Sequence, residues 1–249
     1  MYISRRKFIM LTPFILASGK TLLANDHPYI DYPFIDYFAP KEPDDGFDEQ
    51  GLGVVSAGKD EIALAKNILS KAPTTNPLDV MNFLANINQK NSSGELYNER
   101  WADVGNPVIV KFFHDVGYKQ EKFPNSDCTP WCAATLSWCL YRSRRTFAKD
   151  PVSSQSYLEY GIKTKDPKEG DIVVFTDTSD NSRGHVGLFL KNDNDNVIVL
   201  GGNQAQEYKS KTNCGKDYPN NKIRKSSIYK NSNKDKGYSL YLNSYITYI

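Results

Sequence analysis

Apolar residues recur at helical spacing in the first half of the chain and at strand spacing in the second. In "KDEIALAKNILSKAP", Ile62, Ala65, Ile68 and Leu69 fall on one helical face. "NPLDVMNFLANI" opens a second helix, with Asn76 as cap and Pro77 at the first helical position. "NPVIVKFFHDVG" starts the same way; Ile109, Phe112, Phe113 and Val116 form its face and Gly117 ends it. In "TPWCAATLSWCLY", Thr129 is a good cap and Pro130 suits the first helical position. This fourth helix is apolar nearly all round, which predicts burial against both a sheet and the other helices. Beyond Arg145 the period shortens. "GDIVVF", "HVGLFL" and "NVIVLGG" are short β-branched or aromatic runs between Asp/Asn/Gly-rich turns, and "YSLYLNSYITYI" adds one or two more strands. Helices first and an antiparallel sheet afterwards is an α+β order.

The 249 residues suffice for one main domain whose core needs no metal or disulfide scaffold. A net charge of +2 is too mild for a dedicated nucleic-acid binder, so the placement of charge matters more than its sum. At the N-terminus, Arg5 and Arg6 precede an apolar run from Phe8 to Ala17, and a small-residue cleavage site lies at Ala24. That layout predicts an export signal over residues 1–24; Ser4, Phe8 and Lys20 suit the twin-arginine route. The run is too short to span a bilayer, so the membrane is a partner only during export. Residues 25–57 form an acidic, proline-broken leader. It carries eight Asp/Glu between Asp26 and Glu49 against the single Lys41, and is expected to lie extended. Residues 58–249 form the main domain. Within it, residues 205–237 carry nine Lys/Arg against three Asp/Glu and read as a solvated loop, with attraction of an anionic polymer as the functional alternative. Docking of the acidic leader on this basic segment is a further expectation.

Three of the four cysteines lie in "DCTPWCAATLSWC", residues 127–139. Cys132 falls in the first turn of the fourth helix, where unpaired backbone N–H groups and the helix dipole favour a thiolate; this marks it as a nucleophile. Cys139 is two turns deeper on the same face and reads as an inert core thiol. Export would place the chain in an oxidising compartment, where Cys128 and Cys214 are free to pair while Cys132 and Cys139 stay reduced. A cysteine hydrolase also needs a base. His27 belongs to the leader and His114 to the third helix. His185 opens a strand between Gly184 and Gly187 and is the candidate. A hairpin through "KNDNDN" returns the chain near Gly202 opposite His185. A bulge at Gly201–Gly202 decides whether Asn203 or Gln204 orients the imidazole, with Asn203 favoured. The cysteine spacing lacks the two close ligand pairs of common zinc modules, so no metal or cofactor is expected.

In order along the chain, "TPWCAA", "GDIVVF", "GHVGLFL" and "VLGGNQ" resemble the small papain-like cysteine amidohydrolases related to the CHAP and NlpC-type cell-wall hydrolases. The resemblance is closest to the branch carrying TPWC, GHVG and LGGNQ motifs, reaches back to "NPVIVKFFHDVG", and covers roughly residues 100 to 205. It implies a papain-like α+β fold, with the nucleophile on a buried helix packed on an antiparallel sheet. It also implies hydrolysis of amide bonds in the peptide part of peptidoglycan, while the export signal predicts a location in the periplasm or outside the cell. Cys132 would be nucleophile, His185 general base and Asn203 the orienting residue. Cys128 and the basic insertion containing Cys214 depart from the family pattern. The rival readings are a secreted cysteine peptidase or acyltransferase acting on protein with the same triad, and a wall-binding module without turnover.

Overall fold

The computed structural model describes residues 57–118, 127–204, 221–232 and 239–248. The export signal, nearly all of the acidic leader, His27, Cys214 and most of the basic segment lie outside the described residues. Three helices precede the cysteine stretch, as their spacing predicts: α1 (Lys59–Ser70), α2 (Pro77–Ala85) and α3 (Pro107–Asp115). Both Asn-Pro starts are built as expected. The Asn76 side chain accepts from the Asp79 N–H and that of Asn106 from the Val108 N–H, each satisfying an N–H that the helix leaves open. Gly117 stands just past α3 at φ 78°, a conformation that a side chain would strain.

The fourth helix, α4 (Cys132–Arg142), is buried along nearly its whole length. Its start differs from the expected Thr129–Pro130 cap. Trp131 is the N-cap, at φ −116° and ψ 14°, with no side-chain cap bond. Pro130 therefore precedes the helix, and Cys132 is its first residue. No helix among the described residues is long and apolar enough to cross a membrane.

After a 3-10 helix at Ser154–Glu159, the chain forms β1 (Ile162–Thr164), β2 (Ile172–Asp177), β3 (Gly184–Asp193), β4 (Asn196–Gln204), β5 (Lys222–Tyr229) and β6 (Leu240–Thr247). They make one antiparallel sheet in the order β1-β6-β2-β3-β4-β5. This is the α+β arrangement that the sequence predicts. Two strands were not anticipated: β1 is only three residues long, and β5 lies in the basic segment read as a loop. In β5, Ile223 is fully buried while Lys225 and Ser227 are exposed. Its charges suit a strand at the edge of a sheet, where they block further pairing.

Both faces of the sheet bury apolar side chains. One face puts Ile172, Val174, Val186, Leu188, Leu200, Ile223 and Ile246 into the main core with the helices. The far face gathers Val173, Phe175, Phe189, Val197 and Val199, with Ile228, Leu240, Leu242 and Tyr245 against them. Burial on both sides is why "IVVF" is continuously apolar rather than alternating.

The approach to α4 is tied down by buried polar groups. Arg100 donates through Nε and Nη2 to the Asp127 carbonyl at 3.0 and 2.7 Å, and the Asp127 carboxylate accepts from the main chain of Trp101 and Asn106. The Asn106 amide donates to the carbonyls of Tyr97 and Glu99 at 2.9 and 2.7 Å. Asn106→Ala removes a cap and strands buried carbonyls at once. Its expected cost is about 2–4 kcal/mol, read as a lower denaturation midpoint with an unchanged slope; a shift no larger than that of an exposed-surface alanine would contradict this role.

Candidate active site

The first turn of α4 lies directly on β4. A Cβ at Gly202 would lie 2.7 Å from Thr135 Cβ and 2.9 Å from a ring carbon of Trp131, so only glycine permits this approach. Thr135 is held in turn by donating to the Trp131 carbonyl at 2.8 Å. The contact seats Cys132 against the β3–β4 pair.

Ladder geometry then explains where the sulfur goes. The Asp177 N–H donates to the Arg183 carbonyl and the Phe189 N–H to the Asp171 carbonyl. Odd-numbered residues of β3 thus turn their main-chain groups toward β2, and Val186 turns toward β4. The β3–β4 register runs Phe189↔Val199 and Leu188↔Leu200 and stops there. At the next position toward β4, the Val186 N–H bonds the Cys132 sulfur instead of a carbonyl. The main-chain N–H groups of Ala133 and Cys132 also face that sulfur. The thiol thus takes the place of a missing ladder partner, one residue from His185.

This environment changes the expected electrostatics. Cys132 is only 5% exposed, and burial pushes its thiol up; the N–H groups of Val186, Ala133 and Cys132 oppose this without overcoming it. The resting Cys132 sulfur is therefore a thiol, not the thiolate that the helix start alone suggests. Burial also holds the His185 imidazole down, at about 4. Near neutral pH both groups are uncharged.

His185 opens β3 opposite Phe175 of β2. A side chain at Gly184 would collide with the Phe175 carbonyl and the Gln155 amide, and a Cβ at Gly187 would lie 2.6 Å from Val199 Cγ1. The two glycines therefore serve close packing around the histidine. Gln155 donates to the Phe175 carbonyl at 3.0 Å and accepts from Thr176 Oγ1 at 2.7 Å, bracing the strand pair that carries His185. Nothing in its local sequence marks Gln155, or the Val186 N–H, for such roles.

The third expected member stands in a β-bulge. Gly201 pairs with Arg224 and Gln204 with Lys222, so three steps on β4 match two on β5. Asn203 takes the left-handed conformation there, at φ 56°. Its Oδ1 accepts from Asn221 Nδ2 at 2.5 Å. Cys132 and the His185 strand are thus brought together, while the Asn203 amide is engaged with Asn221. His114 sits beside Asp115, which accepts from Trp138 Nε1 at 2.9 Å. Trp138 is six residues along α4 from Cys132, about 9 Å of helix rise, so His114 belongs to the other end of the helix. Cys139 is fully buried, 3.9 Å from the Met81 sulfur, and burial pushes its thiol well up; it is the core thiol that the sequence predicts. Cys128 is in a disulfide, whereas Cys132 and Cys139 are free. Its expected partner Cys214 lies outside the described residues. Among the described residues, no cluster of His, Cys, Asp or Glu could hold a metal ion.

Fold and site together set a thiol at the start of a buried helix against a strand that opens with histidine. Residues 119–203, about a third of the chain, match the family model of the CHAP domain. CHAP domains are typically cysteine/histidine-dependent amidohydrolases that act on peptidoglycan. Neither the curated proteins nor the solved structures compared with the chain contain a match.

The buried histidine has a measurable consequence. Its imidazole titrates near 6.5 when unfolded and near 4 when folded, so its contribution to stability is complete above about pH 6.5 and is lost as pH falls toward 4. At ~1.4 kcal/mol per pKa unit this amounts to at most about 3 kcal/mol. Denaturation midpoints measured from pH 7.5 to 4 should fall more steeply for the wild type than for His185→Asn. Parallel curves would mean that the imidazole is not buried in its neutral form.

Proposed function

We propose that the protein is an exported cysteine hydrolase that cleaves an amide bond in the peptide part of bacterial peptidoglycan, as amidase or endopeptidase. Cys132 is the nucleophile and His185 the general base. An amide of the Asn203–Gln204 segment orients the base, the resemblance assigning that role to Asn203. The observation that carries this reading is the Cys132 sulfur bonded to the main chain next to His185, within the segment that matches the CHAP domain.

Cys132 passes its proton to His185 as the sulfur attacks the amide carbonyl. The tetrahedral oxyanion is met by first-turn N–H groups of α4, that of Cys132 among them. The His185 imidazolium then protonates the departing amine, leaving a thioester. Water, deprotonated by the now neutral imidazole, attacks the thioester and releases the acid and the free thiol. Because each member depends on the other, Cys132→Ala and His185→Ala should each remove nearly all release of fragments from purified sacculi. The double variant should lose little more. Fragment masses identify the bond that is cut. Wild-type release by Cys132→Ala would rule out the mechanism, whereas an active enzyme that releases nothing from sacculi but cleaves a protein would favour a protein-directed peptidase.

Export rests on Arg5, Arg6 and the apolar run that follows them. Replacing both arginines by lysine should leave unprocessed precursor in the cytoplasm, as seen by fractionation and immunoblotting. Normal processing of that variant would reject the twin-arginine route.

A further inference from the structure

Two complementary polar atoms near the site are buried without a hydrogen-bond partner: His185 Nε2 and Gln204 Oε1. His185 is 8% exposed and Gln204 4%. Buried polar groups are almost always paired, and an unpaired one costs about 1–3 kcal/mol. One of these atoms becomes a donor when the imidazole carries its proton on Nε2, and the other is purely an acceptor.

The sheet places both residues on the same face. His185 pairs with Phe175, and cross-strand partners share a face; Phe175 belongs to the far face. On β4, Val197 and Val199 belong to that face too, while Gly202 meets α4 on the opposite one. Gly201 therefore faces the same way as His185. The extra residue of the bulge returns Gln204 to this face, and a Cβ added at Gly201 would indeed lie 2.9 Å from Gln204 Nε2. That nitrogen donates to the Val199 carbonyl at 3.4 Å, which anchors the amide by its nitrogen and leaves the oxygen available. Extending the Leu188↔Leu200 register brings His185 level with Asn203, the residue at which the bulge turns the chain.

We infer that Gln204, delivered by the bulge at Gly202–Asn203, is the positioning residue of the site: the two orphaned atoms are not bonded to each other in the resting structure, and rotation of the Gln204 amide or of the imidazole pairs them, Oε1 accepting the Nε2–H of His185 and leaving Nδ1 free to take the Cys132 proton. Asn203 has a different task. Its left-handed backbone makes the bulge, and its side chain ties that bulge to Asn221. The inference rests on the Cys132–His185 reading proposed above and names its missing third member.

The test compares Gln204→Ala, Gln204→Glu and Asn203→Ala in the full chain, with two readouts. Imidazole 15N shifts report the His185 tautomer whether or not the protein turns over. Release from sacculi across pH gives kcat and KM. Gln204→Ala should convert an Nε2–H tautomer into a mixture and lower kcat at least ~10-fold with KM within about 2-fold. Gln204→Glu should restore the tautomer and most of the rate, with the base limb of the pH profile moved upward because a carboxylate favours the imidazolium. Asn203→Ala should keep the Nε2–H tautomer and lose less than Gln204→Ala. An unchanged tautomer in Gln204→Ala, or a tautomer lost in Asn203→Ala alone, overturns the inference. If Cys132→Ala remained active while the tautomer followed Gln204, the catalytic reading would fail and the contact would stand, so the two failures are separable.

Discussion

Everything at the site depends on how closely α4 approaches β4 at Gly202. A helix can lay its first turn on a strand only where the strand has no side chain, and here Thr135 and Trp131 occupy the volume that a Cβ would need. This contact brings the sulfur of the first helical residue into the plane of the sheet, where it bonds the Val186 N–H. The β3–β4 register stops at Leu188↔Leu200, and β4 bulges against β5 just beyond it. Helix position, ladder interruption and thiol placement are thus one geometric fact seen from three elements.

Burial dominates the electrostatics of the site. Three main-chain N–H groups face the Cys132 sulfur, yet the loss of water around it outweighs them. The same loss keeps His185 neutral. An uncharged pair is the less costly resting state in a dry setting, since an isolated ion there would lack the solvation that water provides.

The segment leading into α4 is anchored by Arg100, Asn106 and Asp127, all nearly or fully buried. Burying a guanidinium beside a carboxylate brings little net stability, because desolvation offsets the attraction. What the network supplies is position. Arg100 grips the Asp127 main chain five residues before Cys132, while Asn106 ties the start of α3 to the loop at Tyr97–Glu99. The Cys128 disulfide adds a covalent restraint at the same place.

Much of this molecule was legible in its sequence because the signals were local. Both Asn-Pro helix starts, the apolar faces of α1 to α3, the wholly buried character of α4 and the runs of β2, β3 and β4 depend on residues a few positions apart. So did the places of Cys132 and His185, a thiol at a helix start and a histidine between glycines at a strand start. The basic segment misled because β5 shows its strand character only through pairing with β4, and a charged edge strand looks like a loop when its partner is unseen. The helix start moved from Thr129 to Trp131 because tertiary packing set the backbone there, against a good cap residue. The state of the thiol was set by how much water the completed fold removes, which first-turn N–H groups cannot reveal. The faces of Asn203 and Gln204 were decided by one extra residue in a bulge: parity along a strand can be read from sequence, but the place where the ladder slips depends on what packs against it.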